Sequence, residues 1–122
     1  MKNLPPVYVW LGIVLIAATG LVHWADAPDG FEEAAYKGWL FCANGVAALV
    51  AAVGIYCGRR LWGWHLGLVI AAGSMLGYTA SRTTGLPLIP AEPDAWLEPL
   101  GVVSLIVEGS FVALFVAVRT RR

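Results

Sequence analysis

The most constraining feature of the sequence is a series of four apolar stretches, each long enough to cross a bilayer. A transmembrane helix needs about 20 predominantly apolar residues. The stretches cover residues 6–24, 38–57, 61–81 and 99–118, and only short connections remain. With 59% hydrophobic and 13% charged residues, the chain of 122 residues is too apolar for an ordinary soluble domain. The sequence therefore predicts an all-α fold: one integral membrane domain over residues 1–122, built as a four-transmembrane-helix bundle.

The basic residues predict how this bundle is oriented. Cytoplasmic segments carry an excess of Lys and Arg. If the chain crosses four times, six basic residues fall on the side of the termini and two on the other side. The six are Lys2, Arg59, Arg60, Arg119, Arg121 and Arg122, and the two are Lys37 and Arg82. We therefore expect both termini in the cytoplasm and a multi-pass protein of the inner (cytoplasmic) membrane.

Glu108 is the one acidic residue in the middle of an apolar stretch. A carboxylate within a membrane is energetically costly, so we expect it to have a partner group, a bound proton or a function. At about 1.5 Å per residue, positions near 14, 48 and 72–74 share its depth, and none is cationic. We expect a protonated acid bonded to Ser74, Ser104 or a helix carbonyl, or a carboxylate paired with another subunit. Three roles for Glu108 stay open. It could be a neutral acid that hydrogen-bonds neighbouring helices together, a proton or cation site, or a contact to a partner subunit or a lipid headgroup.

A second group of polar residues is predicted to share one layer at the outer membrane boundary. Arg82 and Glu98 suit an interfacial ion pair between the third and fourth helices. His23 suits an interfacial anchor or, alternatively, a metal or haem ligand. His65 lies near the other boundary, so the two histidines are not expected to ligate one haem. The predicted outer cluster consists of His23, Asn44, Tyr78, Arg82 and Glu98.

Several classes of function lack their sequence signals. The chain has no phosphate-binding loop, no nucleophile elbow and no metalloprotease motif, so no catalytic residue is predicted. Cys42 and Cys57 are fifteen positions apart, which fits neither a redox C-x-x-C motif nor a zinc site. With a formal net charge of zero, the chain offers no basic surface for nucleic acid. We predict no metal site, assign no cofactor, and expect that the protein is not an enzyme.

Three segments carry a resemblance to a known group of proteins. They are Glu32-Glu-Ala-Ala-Tyr-Lys-Gly-Trp-Leu-Phe, Ser81-Arg-Thr-Thr-Gly-Leu-Pro and Trp96-Leu-Glu-Pro-Leu-Gly-Val-Val-Ser-Leu-Ile-Val-Glu. Together they resemble uncharacterised small four-helix integral membrane proteins of high-GC bacteria and haloarchaea. The resemblance implies the fold and no activity. Small multidrug-resistance transporters carry their glutamate in the first helix, and fluoride channels carry an arginine there, so neither family matches.

Three hypotheses about function follow. The first is a non-catalytic accessory or structural subunit of a larger membrane complex, such as a respiratory or oxidoreductase assembly. The second is a small homo-oligomeric transporter or channel that uses Glu108 as its proton or cation site. The third is a protein that binds a metal, haem or quinone near the outer leaflet through His23. The expected partners are the lipid bilayer and either other membrane subunits or further copies of the chain.

Overall fold

The protein is an all-helical bundle, as predicted. A computed structural model describes residues 3–58 and 60–121. The helices are α1 (Pro6–Glu33), α2 (Ala35–Tyr56), α3 (Arg60–Arg82) and α4 (Pro99–Arg119). Three of them, α1, α2 and α4, are long and apolar enough to span a membrane, which indicates a membrane protein. With 23 residues, α3 is long enough to span a membrane. It is not one of the described helices that are also sufficiently apolar.

The four helices form a ring in chain order. α1 packs against α2 and α4, and α3 packs against the same two helices. α1 also reaches α3 across the bundle, where Gly12 lies against the Trp64 ring. An added Cβ at Gly12 would lie 2.4 Å from that ring, so the crossing depends on a residue without a side chain.

α1 is longer than the sequence predicted. It continues past residue 24 to Glu33, through Pro28, so the expected first connection is largely helical. Ala34 alone is extended, with φ −164° and ψ 142°, and α2 begins at the next residue. The two helices approach closely here, because an added Cβ at Gly30 would lie 3.3 Å from the backbone of Gly38. This packing stabilises helix after residue 24, where the sequence predicted a short connection.

The half of the bundle near the α2–α3 turn is tightly packed. Ile16, Ile55, Trp64 and Phe111 are all fully buried there. The Trp64 and Phe111 rings stack with their centroids 5.4 Å apart. Together these side chains fill the centre of the bundle and close it at this end.

The opposite half is bounded by the irregular segment 83–98, which connects α3 to α4. Gly85 lies three residues beyond the end of α3 at φ 84°, the left-handed conformation that favours glycine, and its amide donates to the Ala80 carbonyl at 2.8 Å. The amide of Glu92 then donates to the Ser81 carbonyl at 2.9 Å and returns the segment to the end of α3. Pro99 begins α4, where its missing N–H costs nothing. The segment thus folds over one end of the bundle.

Candidate functional site: a polar cavity beside a buried histidine–glutamate pair

A cavity of about 1040 Å³ occupies the half of the bundle beneath segment 83–98. Its walls come from the last third of α1, the first half of α2, the last half of α3 and the start of α4. Asp29, Glu32 and Glu33 line it and are themselves exposed, so the cavity reaches the surface. A volume of this size suits an organic molecule better than a bare ion.

The inner wall of the cavity carries His23, which faces Glu108. His23 Nε2 lies 3.8 Å from Glu108 Oε2. Glu108 is completely buried and His23 is 9% exposed. His23 lines the cavity, whereas Glu108 lies behind it in the bundle. The imidazole therefore stands between the cavity and the buried carboxyl group.

Backbone contacts determine which ring nitrogen of His23 carries hydrogen. His23 Nδ1 lies 2.8 Å from the Thr19 carbonyl oxygen, one turn earlier on α1. A carbonyl oxygen only accepts hydrogen bonds, so Nδ1 is the donor. Nε2, the atom directed at Glu108, is then free to gain or lose a proton. The Phe41 ring packs edge-on against the imidazole with its centroid 5.2 Å away, which holds the ring in place.

The two oxygens of Glu108 have different surroundings. The Ser104 hydroxyl, one turn earlier on α4, donates to Oε2 at 2.5 Å. Oε1 is buried and has no hydrogen-bond partner among the described residues. A buried carboxylate oxygen without a donor is costly, and a proton on Oε1 would itself lack an acceptor among the described residues.

A second polar contact joins α2 to α3 at the cavity wall. Asn44 Nδ2 donates to Ser74 Oγ at 2.8 Å, and Ser74 Oγ donates to the Ile70 carbonyl at 2.7 Å. Because the Ser74 hydrogen is used on a carbonyl, Asn44 must present its NH₂ group to Ser74. The Asn44 Oδ1 atom is therefore left as a buried acceptor without a partner among the described residues.

Arg82 organises the mouth of the cavity. Its guanidinium group donates to the Ala95 carbonyl from Nε at 3.3 Å and from Nη2 at 3.1 Å. It also donates to Ser81 Oγ at 2.7 Å and forms an ion pair with Glu98 at 3.4 Å. The guanidinium carbon lies 4.0 Å from the centroid of the Tyr78 ring. These contacts tie segment 83–98 to the end of α3.

Two further contacts border the mouth on the α2 side. The Tyr36 hydroxyl donates to the Pro87 carbonyl, which joins the start of α2 to segment 83–98. Lys37 forms an ion pair with Glu33, across the break between α1 and α2. Both cations that line the cavity, Lys37 and Arg82, thus already face a carboxylate.

The five residues of the predicted outer cluster all line this one cavity, and the Arg82–Glu98 ion pair is present. The predicted depth of Glu108 relative to His23 was wrong. His23 does not end α1 but lies ten residues before its end, and this brings it to Glu108. Of the two predicted hydroxyl partners, Ser104 bonds to Glu108, whereas Ser74 bonds to Asn44 and Ile70.

Tyr36, Asp26 and Asp29 also line the cavity, although the sequence pattern did not mark them as site residues. The first apolar stretch was predicted to end at residue 24, and only the continuation of α1 to Glu33 brings these residues to the cavity wall. The regular spacing of Asp26, Asp29 and Glu33 by three and four residues was the available signal for a helical face.

Among residues 3–58 and 60–121, no three His, Cys, Asp or Glu side chains come together in a group that could hold a metal ion. His65 packs edge-on against Phe115, and its Nδ1 lies 2.6 Å from the Leu61 carbonyl oxygen.

Scanned against known protein families, curated proteins and solved structures, the chain matches none. The resemblance based on the three sequence segments therefore stays a prediction.

Proposed function

We propose that the protein is a small membrane transporter or channel in which the His23–Glu108 pair binds and releases a proton beside a solute cavity. The observation that carries this proposal is the 3.8 Å separation of His23 Nε2 and Glu108 Oε2 at the cavity wall. Ionisable residues buried within transmembrane bundles are costly and are found where protons, ions or substrates move. Here the pair includes one side chain that reaches the cavity and one that does not.

The pair is suited to holding one proton in two arrangements. With Nδ1 hydrogen-bonded to Thr19, the proton resides either on Glu108 or on His23 Nε2. The first arrangement is a neutral pair and the second is an ion pair, and both carry the same total charge. Exchange with a solvated cavity then proceeds through the imidazole, since Glu108 itself has no exposed surface.

The shape of the bundle supports transport from one side. The cavity opens at the end where segment 83–98 lies, whereas Ile16, Trp64 and Phe111 fill the other end. A membrane protein that is open at one end and closed at the other presents one of the two states that alternating access requires.

We further propose four membrane crossings, with both termini in the cytoplasm. Part of the polar character of α3 comes from residues that line the cavity, namely Gly73, Ser74, Gly77, Tyr78 and Ser81. Its outer surface carries apolar side chains such as Leu76, which is 73% exposed. Burial of polar residues against a cavity is compatible with a spanning helix.

Proton flux tests the proposed function. Proteoliposomes loaded with a pH-sensitive dye and subjected to a pH gradient should dissipate it faster than empty vesicles. Glu108→Gln keeps the size of the side chain and removes its proton site, so the rate should return to that of empty vesicles. A wild-type rate equal to that of empty vesicles, or equal rates in wild type and Glu108→Gln, would contradict the proposal.

The two histidines provide a matched control for this experiment. Each has Nδ1 near the carbonyl oxygen four residues earlier and a phenylalanine ring 5.2 Å away edge-on, but His23 alone faces Glu108. His23→Gln should abolish proton flux and His65→Gln should leave it unchanged. Equal loss in the two variants would indicate damage to the bundle in place of loss of a proton site.

Cysteine labelling tests the orientation. Cys57, at the exposed α2–α3 turn, should react with a membrane-impermeant maleimide only after the cytoplasmic face is opened. A cysteine introduced by Asp94→Cys, in a Cys42→Ala, Cys57→Ala chain, should react from the outside. The reverse pattern would contradict the orientation.

The accessory-subunit and cofactor-binding hypotheses stay predictions. Co-purification from native membranes tests the first, and an absorption spectrum of the purified protein tests the second.

A further inference from the structure

The seam between α2 and α3 is closed at one end and open at the other. Near the α2–α3 turn the two helices touch, because an added Cβ at Gly63 would lie 2.8 Å from the backbone nitrogen of Ile55. Toward segment 83–98 they separate, and an added Cβ at Gly73 or Gly77 would meet nothing within 4 Å. Both of these glycines line the cavity. The cavity therefore extends into a gap between α2 and α3.

This gap opens sideways, through the surface of the bundle. Four apolar residues that line the cavity border the gap and are exposed: Leu40 and Ala43 on α2, and Val69 and Gly73 on α3. Leu40 is 59% exposed and Val69 is 68% exposed. Val69 lies thirteen residues before the end of α3 at Arg82, which is about 20 Å along the helix. The opening thus extends about 20 Å down the side of the bundle.

An opening of this length faces the hydrocarbon of a bilayer. The hydrocarbon core is about 30 Å thick, so a gap that begins near the end of α3 reaches its middle. α2 is one of the helices apolar enough to span a membrane. On the stripe of α2 that begins at Ala43, Val46 and Val50 are exposed as well, so the gap is continuous with the lipid-facing surface of this helix. Apolar walls favour an apolar occupant over water.

A polar contact across the gap limits what enters it. Asn44 Nδ2 donates to Ser74 Oγ at 2.8 Å and ties α2 to α3. The preceding residues, Ala43 and Gly73, are exposed, whereas Asn44 and Ser74 are half-buried, so this bond forms the floor of a groove. Gly73 and Gly77 have the spacing of glycines that pack helices together. A helix about 10 Å across enters the gap only if the Asn44–Ser74 bond breaks, however, whereas a narrower acyl chain fits above it.

From these observations we infer that the gap binds an acyl chain of a bilayer phospholipid. The chain lies along the groove between Leu40 and Val69, with its methyl end toward the tightly packed half of the bundle. The headgroup stays at the mouth of the cavity, where the polar lining residues lie. The inference rests on the proposed function in that the four proposed crossings place the gap in the bilayer, and it names a lipid as the ligand of the same cavity.

Mass spectrometry of the intact protein, released from detergent micelles, tests this inference by counting bound lipids. Dimyristoylphosphatidylcholine is the probe that carries acyl chains, and glycerophosphocholine has the same headgroup without them. We expect one phospholipid to be retained after the other lipids have been stripped, and no adduct of glycerophosphocholine. The absence of a retained phospholipid, or equal binding of the two probes, would overturn the inference.

Substitutions that fill the groove locate the site. Gly73→Leu and Ala43→Leu add bulk from opposite walls at exposed positions, and each should weaken phospholipid retention about tenfold by excluding part of the chain. Thr79→Leu, at an exposed position of α3 outside the cavity, is the matched control and should retain the lipid. Denaturant titration identifies a groove variant that fails to fold, and the other variant then decides. Retention equal to wild type in a folded groove variant would contradict the site.

A second copy of the chain is the competing occupant. If a helix of that copy filled the gap, the wild type would appear in the same spectra as a lipid-free dimer, and Gly73→Leu would convert it to a monomer. That result would overturn the inference. Lipid retention is measured without a proton gradient, so the two proposals fail separately: unchanged flux in Glu108→Gln would remove the proton role alone, and absent retention would remove only the lipid site.

Discussion

Ser104 and Glu108 lie one helical turn apart on α4, and the Ser104 hydroxyl donates to Glu108 Oε2 at 2.5 Å. Both side chains are buried, with 7% and 0% exposure. The same carboxylate oxygen lies 3.8 Å from His23 Nε2 of α1. The hydrogen bond from Ser104 therefore positions the Glu108 carboxyl group. The contact with α1 places it beside His23, whose charge depends on whether the imidazole is protonated.

Removing the serine hydroxyl should destabilise the protein. Ser104→Ala takes away the one described donor to Glu108 and leaves Oε2 buried without that hydrogen bond, which costs about 1–3 kcal/mol. We expect a decrease of that size in the free energy of unfolding, measured by denaturant titration in mixed micelles. Ser110→Ala, at an exposed position of the same helix, is the control and should change it by less than about 0.5 kcal/mol. Equal values for the two variants would show that the Ser104 contact does not stabilise the fold.

The protonation pattern of His23 is directly measurable. Its Nδ1 is 2.8 Å from the Thr19 carbonyl oxygen, so ¹⁵N nuclear magnetic resonance should show hydrogen on Nδ1 at every pH at which the protein is folded. In Glu108→Gln the Nε2 signal should change, since its facing group is replaced, whereas the signals of His65 should not. Spectra of His65→Gln assign the two residues. A neutral His23 with hydrogen on Nε2 and none on Nδ1 would contradict the geometry.

The sequence predicted the helical class and the approximate helix positions because hydrophobic run lengths decide both in a small apolar chain. α4 was predicted at 99–118 and ends at Arg119, since Pro99 and the terminal arginines are local signals. α1 was predicted to end near residue 24 and ends at Glu33. The cause is the Gly30–Gly38 contact between helices, which no local pattern reveals.

The candidate site was predicted as two separate layers, and the contact between His23 and Glu108 joins them. The members of the outer cluster were identified because polar residues in apolar segments are conspicuous, and all of them line the cavity. The link between His23 and Glu108 was missed, since it depends on how far α1 extends and on how α1 and α4 are aligned. Depth counted along single helices cannot reveal that alignment.

Glycines in different halves of the bundle should respond in opposite ways to an added methyl group. At Gly12 a Cβ would lie 2.4 Å from the Trp64 ring, and at Gly73, beside the cavity, it would meet nothing within 4 Å. Gly12→Ala should therefore lower the free energy of unfolding by about 1–3 kcal/mol through overpacking. Gly73→Ala should leave it unchanged or raise it by up to about 1 kcal/mol, because alanine favours helix. Denaturant titration of the two variants side by side tests this, and equal destabilisation would contradict the open space at Gly73.

The contact between Tyr36 and Pro87 should control how often segment 83–98 opens. Among the described residues, the hydrogen bond from the Tyr36 hydroxyl links α2 to this segment. Arg82 holds the segment to α3. Tyr36→Phe removes one hydrogen bond, worth about 1 kcal/mol, so amides in segment 83–98 should exchange with deuterium about fivefold faster. Amides of α4 should keep their rates, since the bundle is unchanged. Tyr56→Phe, at the far end of α2, is the matched control and should not affect exchange in the segment. If exchange in segment 83–98 is the same in Tyr36→Phe and in wild type, the hydroxyl contact does not hold the segment over the cavity.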